Sequence, residues 1–315
     1  MLPTFPDQEK LDIKHALALK KLLDGYPPYS DFNLVSLYSW NVKDDIEVSE
    51  LYNNIVIKFI DYISCKPYFS FLGKTKVNTT ARLILIGLKK RIRFPALKNI
   101  PATVAMRISK RRYKIQEDRD NFDYIYNIRN YLALVGSQYK KKRNLIKRYR
   151  ELHGERTAIK RIIISQPSTQ KAILKVFDQW RRTTLKTSQY AKNERRALMR
   201  YFTFHTLGKT RNYGFFYDRI LIGFACFELL PNRMVMCHFE KIAEKKHGIS
   251  EFFLYTVLKI LARQGYRRIN YMQDLGIPGL RHRKTLLRPQ KYLKKYIIKE
   301  ISGHGFAERH RYPRS

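Results

Sequence analysis

At 315 residues, with 44% hydrophobic and 13% aromatic content, the chain can bury one large core or two ordinary ones, which excludes a disordered polymer. Lys and Arg total 63 against 26 acids, and the net charge of +37 favours a polyanionic partner, either nucleic acid or an anionic membrane surface. No apolar run approaches membrane-spanning length, no basic-then-apolar leader opens the chain, and Cys65, Cys226 and Cys237 show neither metal spacing nor a disulfide framework, so a cytoplasmic protein without a metal site is expected.

The apolar spacing predicts an amphipathic helix over Lys10–Leu23, stopped by Pro27-Pro28, then a helix over Phe32–Trp40 capped by Ser30 or Asp31. Strands are expected at Ile46–Tyr52 and Ile55–Tyr62 around Asn53-Asn54. A helix should run from Asn78 or Thr79 to about Lys90. The acidic, aromatic stretch Tyr113–Tyr126 is mixed, and its acids are expected to pair with the basic segment Lys140–Arg150. A long basic helix is expected over Leu132–Leu152, broken only near Gly136 and joining two halves. Beyond it come a strand at Ala158–Ile164, helices at Ser168–Leu185 and Glu194–Leu207, and strands at Tyr213–Tyr217, Ile220–Leu230 and Met234–Lys241. A helix over Ser250–Gln264 precedes strands at Ile269–Asp274 and Tyr292–Ile301. The pattern is α/β twice over, with mixed sheets, and divides into residues 1–130 and 131–315.

Three segments could carry chemistry. If the turn after Ile220–Leu230 centres on Pro231-Asn232, His238 faces Ala225 and Glu240 faces Gly223. A histidine and a carboxylate then share a face beside two small residues; the alternative is a packed core. The same register sets Cys226 against Cys237 as two buried thiols. Lys245, Gly248 and Ser250 form a basic turn into a helix, a phosphate site or an ordinary capped loop. The stretch Asn270–Pro289 places Asp274 after a strand, turns through Gly276, Pro278 and Gly279, and leaves with Arg281, Arg283, Lys284 and Arg288. It reads as a site for a ligand bearing an amine and phosphates, or as a surface turn and a solvated basic helix. Walker loops, dinucleotide fingerprints, serine elbows and zinc patterns are absent from the sequence.

Several segments in order resemble one family. They are Tyr29-Ser-Asp-Phe-Asn-Leu-Val-Ser-Leu-Tyr-Ser-Trp-Asn41, Glu117-Asp-Arg-Asp-Asn-Phe-Asp-Tyr124, Lys140-Lys-Lys-Arg-Asn144, His238-Phe-Glu-Lys241, Gln273-Asp-Leu-Gly276 and Gly279-Leu-Arg-His-Arg-Lys284 with Pro289. Together they resemble the C-terminal domain of phosphatidylglycerol lysyltransferases. The resemblance implies two tandem acetyltransferase-like (GNAT) folds, with the site in the C-terminal one. It also implies transfer of an aminoacyl group from aminoacyl-tRNA to a lipid, peptide or small-molecule acceptor, with no cofactor. On this chain it implies Glu240 and Asp274 near the splayed ends of two strands, where they would hold the donor's α-ammonium or a cationic side chain, with His238 a candidate base or a neutral structural histidine. Arg281 and Lys284, near Gly276 and Gly279, would grip the tRNA end, and Lys140, Lys141, Lys142 and Arg143 its backbone.

The chain departs from that pattern in three places. Relatives usually carry a glutamate where this chain has Met272. Coenzyme-A-dependent members want Gln or Arg, then glycine, then glycine or alanine, where this chain has Lys245, Gly248 and Ser250, so acetyl-CoA is the weaker donor. Lipid-modifying lysyltransferases carry a membrane domain that this sequence does not show. Rival readings are an acyl-CoA-dependent N-acyltransferase and a non-catalytic protein that binds RNA or an anionic membrane.

Overall fold

The computed structural model describes residues 1–61, 63–90, 92–184 and 189–301; the expected element ends Tyr62 and Leu185 lie outside them. The chain forms two compact units. Unit 1 holds Met1–Asp123, Gln273–Arg281 and the segment from Tyr292 onward; unit 2 holds Tyr124–Met272 and His282–Lys291. The sequence reading draws one boundary, at 130/131, whereas the chain passes between units at 123/124, 272/273, 281/282 and 291/292.

In chain order the strands are β1 (Glu9–Lys10), β2 (Glu47–Leu51), β3 (Asn54–Ile60), β4 (Pro67–Leu72), β5 (Ala96–Pro101), β6 (Tyr113–Glu117), β7 (Asp123–Asn127), β8 (Thr157–Ile162), β9 (Thr210–Tyr217), β10 (Ile220–Leu230), β11 (Met234–Ile242), β12 (Arg268–Asn270), β13 (Lys291–Leu293) and β14 (Lys295–Glu300). Among the described residues they build two seven-stranded sheets, ordered β1-β2-β3-β4-β5-β14-β6 and β13-β7-β12-β11-β10-β9-β8. Both are mixed, because β4 runs parallel to β5 and β11 parallel to β12. The expected α/β class with mixed sheets is therefore what the chain adopts.

In unit 1 the β2–β3 hairpin closes on Tyr52 and Asn53, both left-handed at φ 54° and 58°. That is the twist a two-residue hairpin loop requires; the turn sits one residue before the expected Asn53-Asn54. The first expected helix is shorter, Ala16–Leu23, preceded by a turn at Ile13–His15 capped by Asp12. The second is Leu34–Trp40, capped by Asn33 through the Ser36 N–H at 2.9 Å. Ser30 and Asp31 are not its caps, because a buried ion cluster engages them. Lys295, wholly buried, bonds Asp31, Asp123 (2.9 Å) and Ser30 Oγ (3.4 Å). Asp123 also accepts from Ser30 N–H and O–H at 2.7 and 2.6 Å, and Gln273 Nε2 donates to Asp31 at 2.6 Å. Burial pulls the Lys295 pKa down, but Asp123 and Asp31 together leave it raised. The cluster ties residues 30–31, 123, 273 and 295 together, so unit 1 needs chain from both ends.

In unit 2 the helix Ile249–Arg263 buries Phe253, Val257, Leu258 and Leu261, with Phe253 stacked on Phe215 at 4.9 Å. The expected long basic helix is split. Ile128–Ala133 ends at Leu134 (φ 47°), Gly136 (φ 97°) breaks the path, and the basic helix is Lys140–His153. It lies wholly within unit 2 and buries Ile146 and Tyr149, the latter 4.9 Å from Phe252. Three of the acids expected to pair with it have charge partners within unit 1. Glu117 pairs with Lys294, Asp120 with Arg281 and Asp123 with Lys295.

Candidate active site

The β10–β11 hairpin corrects the expected register. Its loop is Pro231-Asn232-Arg233, with Leu230 facing Met234 and Phe227 facing Cys237. A bulge follows, after which Cys226 faces Phe239, Ala225 faces Glu240 and Gly223 faces Ile242. His238 is the extra residue, so it does not oppose Ala225 and Cys226 does not oppose Cys237. An inserted residue breaks the alternation of side chains. His238 and Glu240 consequently point to different surroundings. The His238 side chain, 1% exposed, places Nε2 3.0 Å from Glu228 and its ring beside Tyr201 at 5.7 Å. Cys226 and Cys237 are buried free thiols, and burial holds both thiol pKa values far up.

Glu240 stands where two parallel strands part. β11 pairs with β12 over only three positions, Met234↔Arg268 to Met236↔Asn270, then runs on to Ile242 without it. Met272 and Leu275 take left-handed φ of 58° and 55°, which ends β12 early, at Asn270 rather than near Asp274. Beyond the split, Glu240 accepts a short hydrogen bond from Tyr271 O–H and lies 3.4 Å from Arg283. Burial, then the Glu240 charge, pushes the Tyr271 phenol up, so it stays a donor. The Arg283 side chain is 56% exposed beside a carboxylate that is 8% exposed, so one partner meets solvent while the other is fixed. Lys284 is buried instead; its Nζ donates to the Tyr271 carbonyl at 2.6 Å and lies over the Tyr124 and Tyr271 rings.

In unit 1, Asp274 is fully buried and saturated. It accepts from Arg281 Nε (3.0 Å) and Nη2 (2.8 Å), from Arg119 (3.2 Å) and from the Gly276 N–H (2.9 Å). Arg281 reaches on to Asp120 at 2.5 Å, and the bonds to Asp274 and Asp120 raise its pKa further. Gly276 is left-handed (φ 71°), and a side chain there would meet Asp120 at 2.9 Å. Gly279, by contrast, has open space around it, in the helix Pro278–Leu286. The Asp274 network thus holds a strained turn; its arginines are already paired.

The basic residues divide sharply. Lys140, Lys141, Arg148 and His247 line a cavity of ≈490 Å³ with Ser137 and Asn144, and no acid lines it. Arg143 instead donates to the Leu134 and Gly136 carbonyls. The Lys142 amine lies over the Tyr131 and Tyr139 rings, without a hydrogen-bond partner among the described residues, and burial drops its pKa to about 8. Lys245 Nζ donates to the Thr183 carbonyl at 3.3 Å. Gly248, left-handed at φ 78°, packs so close that a Cβ would lie 2.5 Å from the Leu145 carbonyl. Its glycine is required by packing. Sequence reasoning gave Tyr271 no role, placed Arg283 only in a basic run and did not foresee the Lys142 environment, because no local pattern signals a neighbour supplied by another segment. Among the described residues no cluster of His, Cys, Asp and Glu could hold a metal ion, and no helix is long and apolar enough to cross a membrane.

The family profile described as phosphatidylglycerol lysyltransferase, C-terminal, matches residues 25–299. The chain belongs to this family. Solved structures agree on the fold. A conserved protein of unknown function from Bacteroides thetaiotaomicron is 21% identical with a TM-score of 0.78, covering 96% of this chain and 100% of its own. L-PGS from Bacillus licheniformis is 12% identical at TM-score 0.59, covering 92% of each chain. FemX is 9% identical at TM-score 0.53, covering 93% of this chain and 95% of its own. No curated protein matches. The matched span of the lysyltransferase C-terminal family takes in segments of both units, and Glu240, Tyr271 and Arg283 lie within it.

Proposed function

We propose that this protein is an aminoacyltransferase that moves an aminoacyl group from aminoacyl-tRNA to a hydroxyl or amine of an acceptor. The observation that carries the reading is the parting of β11 from β12 with Glu240 at the split. In the acetyltransferase-like folds that the family resemblance implies, the acyl donor enters between two such strands. Each sheet would be one lobe of a tandem pair, with the site in unit 2. The chemistry is modest, since an ester is already activated. The acceptor's oxygen or nitrogen bonds to the ester carbonyl carbon, the bond to the ribose oxygen breaks, and the acceptor's proton ends on that oxygen. What the protein must supply is position and charge.

Glu240, held by Tyr271, would bind the donor's α-ammonium. Arg283, exposed beside it, would stabilise the ribose oxygen as it leaves. The cavity of Lys140, Lys141, Arg148 and His247 would take donor phosphates, which makes binding salt-sensitive. His238 is enclosed with Glu228 and Tyr201, so a structural role suits it better than that of base. Asp274 and Arg281 would shape the turn. A tRNA donor places the reaction in the cytoplasm, and the acceptor could be lipid, peptide or small molecule.

The test is a panel of labelled aminoacyl-tRNAs incubated with protein and cell extract. Label should leave one tRNA for an acceptor faster than spontaneous hydrolysis, and Glu240→Gln should slow this at least about 100-fold. Transfer from an acyl-CoA with none from any aminoacyl-tRNA would overturn the reading.

A further inference from the structure

A second cleft in unit 2 carries charge that the proposed reaction leaves unused. It has a volume of ≈610 Å³, and Arg233, Arg267, Arg268 and Lys291 line it beside Asn127 and Asn232, again without an acid. Among the described residues none of these four cations has a carboxylate partner. The frame beneath them is fixed. The N–H groups of Arg267 and Arg268 both donate to the Arg233 carbonyl, at 2.8 and 3.2 Å, and Ile128 N–H donates to the Arg267 carbonyl at 2.9 Å. The Arg268 guanidinium donates to the Asn232 carbonyl at 3.1 Å. Asn232 and Arg233 hold left-handed φ of 57° and 55°, which costs free energy at residues with side chains. Four like charges in one cleft also repel one another, and an anionic ligand would relieve that repulsion.

Position selects the kind of anion. The cleft lies at the N-terminal ends of the parallel strands β11 and β12, while Glu240 lies seven residues on from Arg233, about 23 Å of strand. A small acceptor held in the cleft could not meet a carbonyl at Glu240. A polymer of phosphates can touch both places. We propose that this cleft binds the phosphodiester backbone of RNA, as a second contact for the tRNA donor. The proposal rests on the donor assigned above.

The experiment titrates the full-length protein with uncharged tRNA from about 50 to about 200 mM salt. It compares wild type, Arg233→Ala/Arg267→Ala, Lys291→Gln, and a control, Lys20→Ala/Lys21→Ala, that loses two exposed charges elsewhere. Circular dichroism and urea midpoints verify folding; if the double variant unfolds, Lys291→Gln decides. The cleft double variant should bind about tenfold more weakly, with a slope of log affinity against log salt shallower by about 1.5, and Lys291→Gln by about half that. The control should match wild type. Equal losses in cleft and control variants, or none in the cleft variants, overturn the proposal. So does a cleft variant that loses binding to phosphatidylglycerol vesicles but keeps tRNA. If the wild type transfers aminoacyl groups while the cleft variants bind tRNA normally, only this proposal falls. If the wild type binds no tRNA, the donor assignment falls with it.

Discussion

Replacing Lys142 with methionine should stabilise the protein at neutral pH and lose that advantage in alkali. The amine is 4.9 Å from the Tyr131 ring centre and 5.8 Å from that of Tyr139, with no hydrogen-bond partner among the described residues. Burial brings its pKa from 10.5 to about 8, against an opposing pull from Glu251. At ~1.4 kcal/mol per tenfold, such a change is worth about 3 kcal/mol. The side chain is only partly covered, and screening by water reduces this to about 1–2 kcal/mol. The sign follows from proton counting. Between pH 8 and 10.5 the unfolded chain holds a proton that the folded one has released, so wild-type stability rises with pH there. Below that window both states are protonated and the folded state bears the whole penalty. Methionine keeps an unbranched stem against the two rings and carries no charge. Urea unfolding at pH 7 and about pH 10, with slopes compared, measures the difference. A variant less stable than wild type by the same amount at both pH values would refute the reasoning.

Other perturbations probe other parts of the structure. Lys295→Met leaves Asp31 and Asp123 buried without their cation and should cost about 3–5 kcal/mol, read as a lowered urea midpoint. Arg281→Lys replaces a fork on Asp274 by a single ammonium; a loss of about 1–3 kcal/mol in urea unfolding is expected, and an unchanged midpoint would show that the fork contributes nothing. Gly248→Ala forces a Cβ against the Leu145 carbonyl at a left-handed position, so thermal unfolding should report a loss of at least about 1–3 kcal/mol.

The sequence by itself determined the alternation of elements, the mixed α/β class, several strands to within a residue or two, and the family. Ile220–Leu230 is matched end for end, because its long apolar run is bounded by turn residues. Periodicity did not expose Pro67–Leu72 or Ala96–Pro101, where proline stands at a strand end. Local pattern proposed Asp31 as a helix cap, since an acid before an apolar run commonly is one. Only the tertiary structure could assign it to Lys295, 264 residues away, because a buried charge is stabilised by whichever partner the fold delivers. The same holds at the candidate site. Glu240 was legible as a carboxylate on a strand, but the bulge at His238 decided which way it points. Tyr271 and Arg283 became its partners through the split of β11 from β12, and a split between strands leaves no mark on either strand's own sequence.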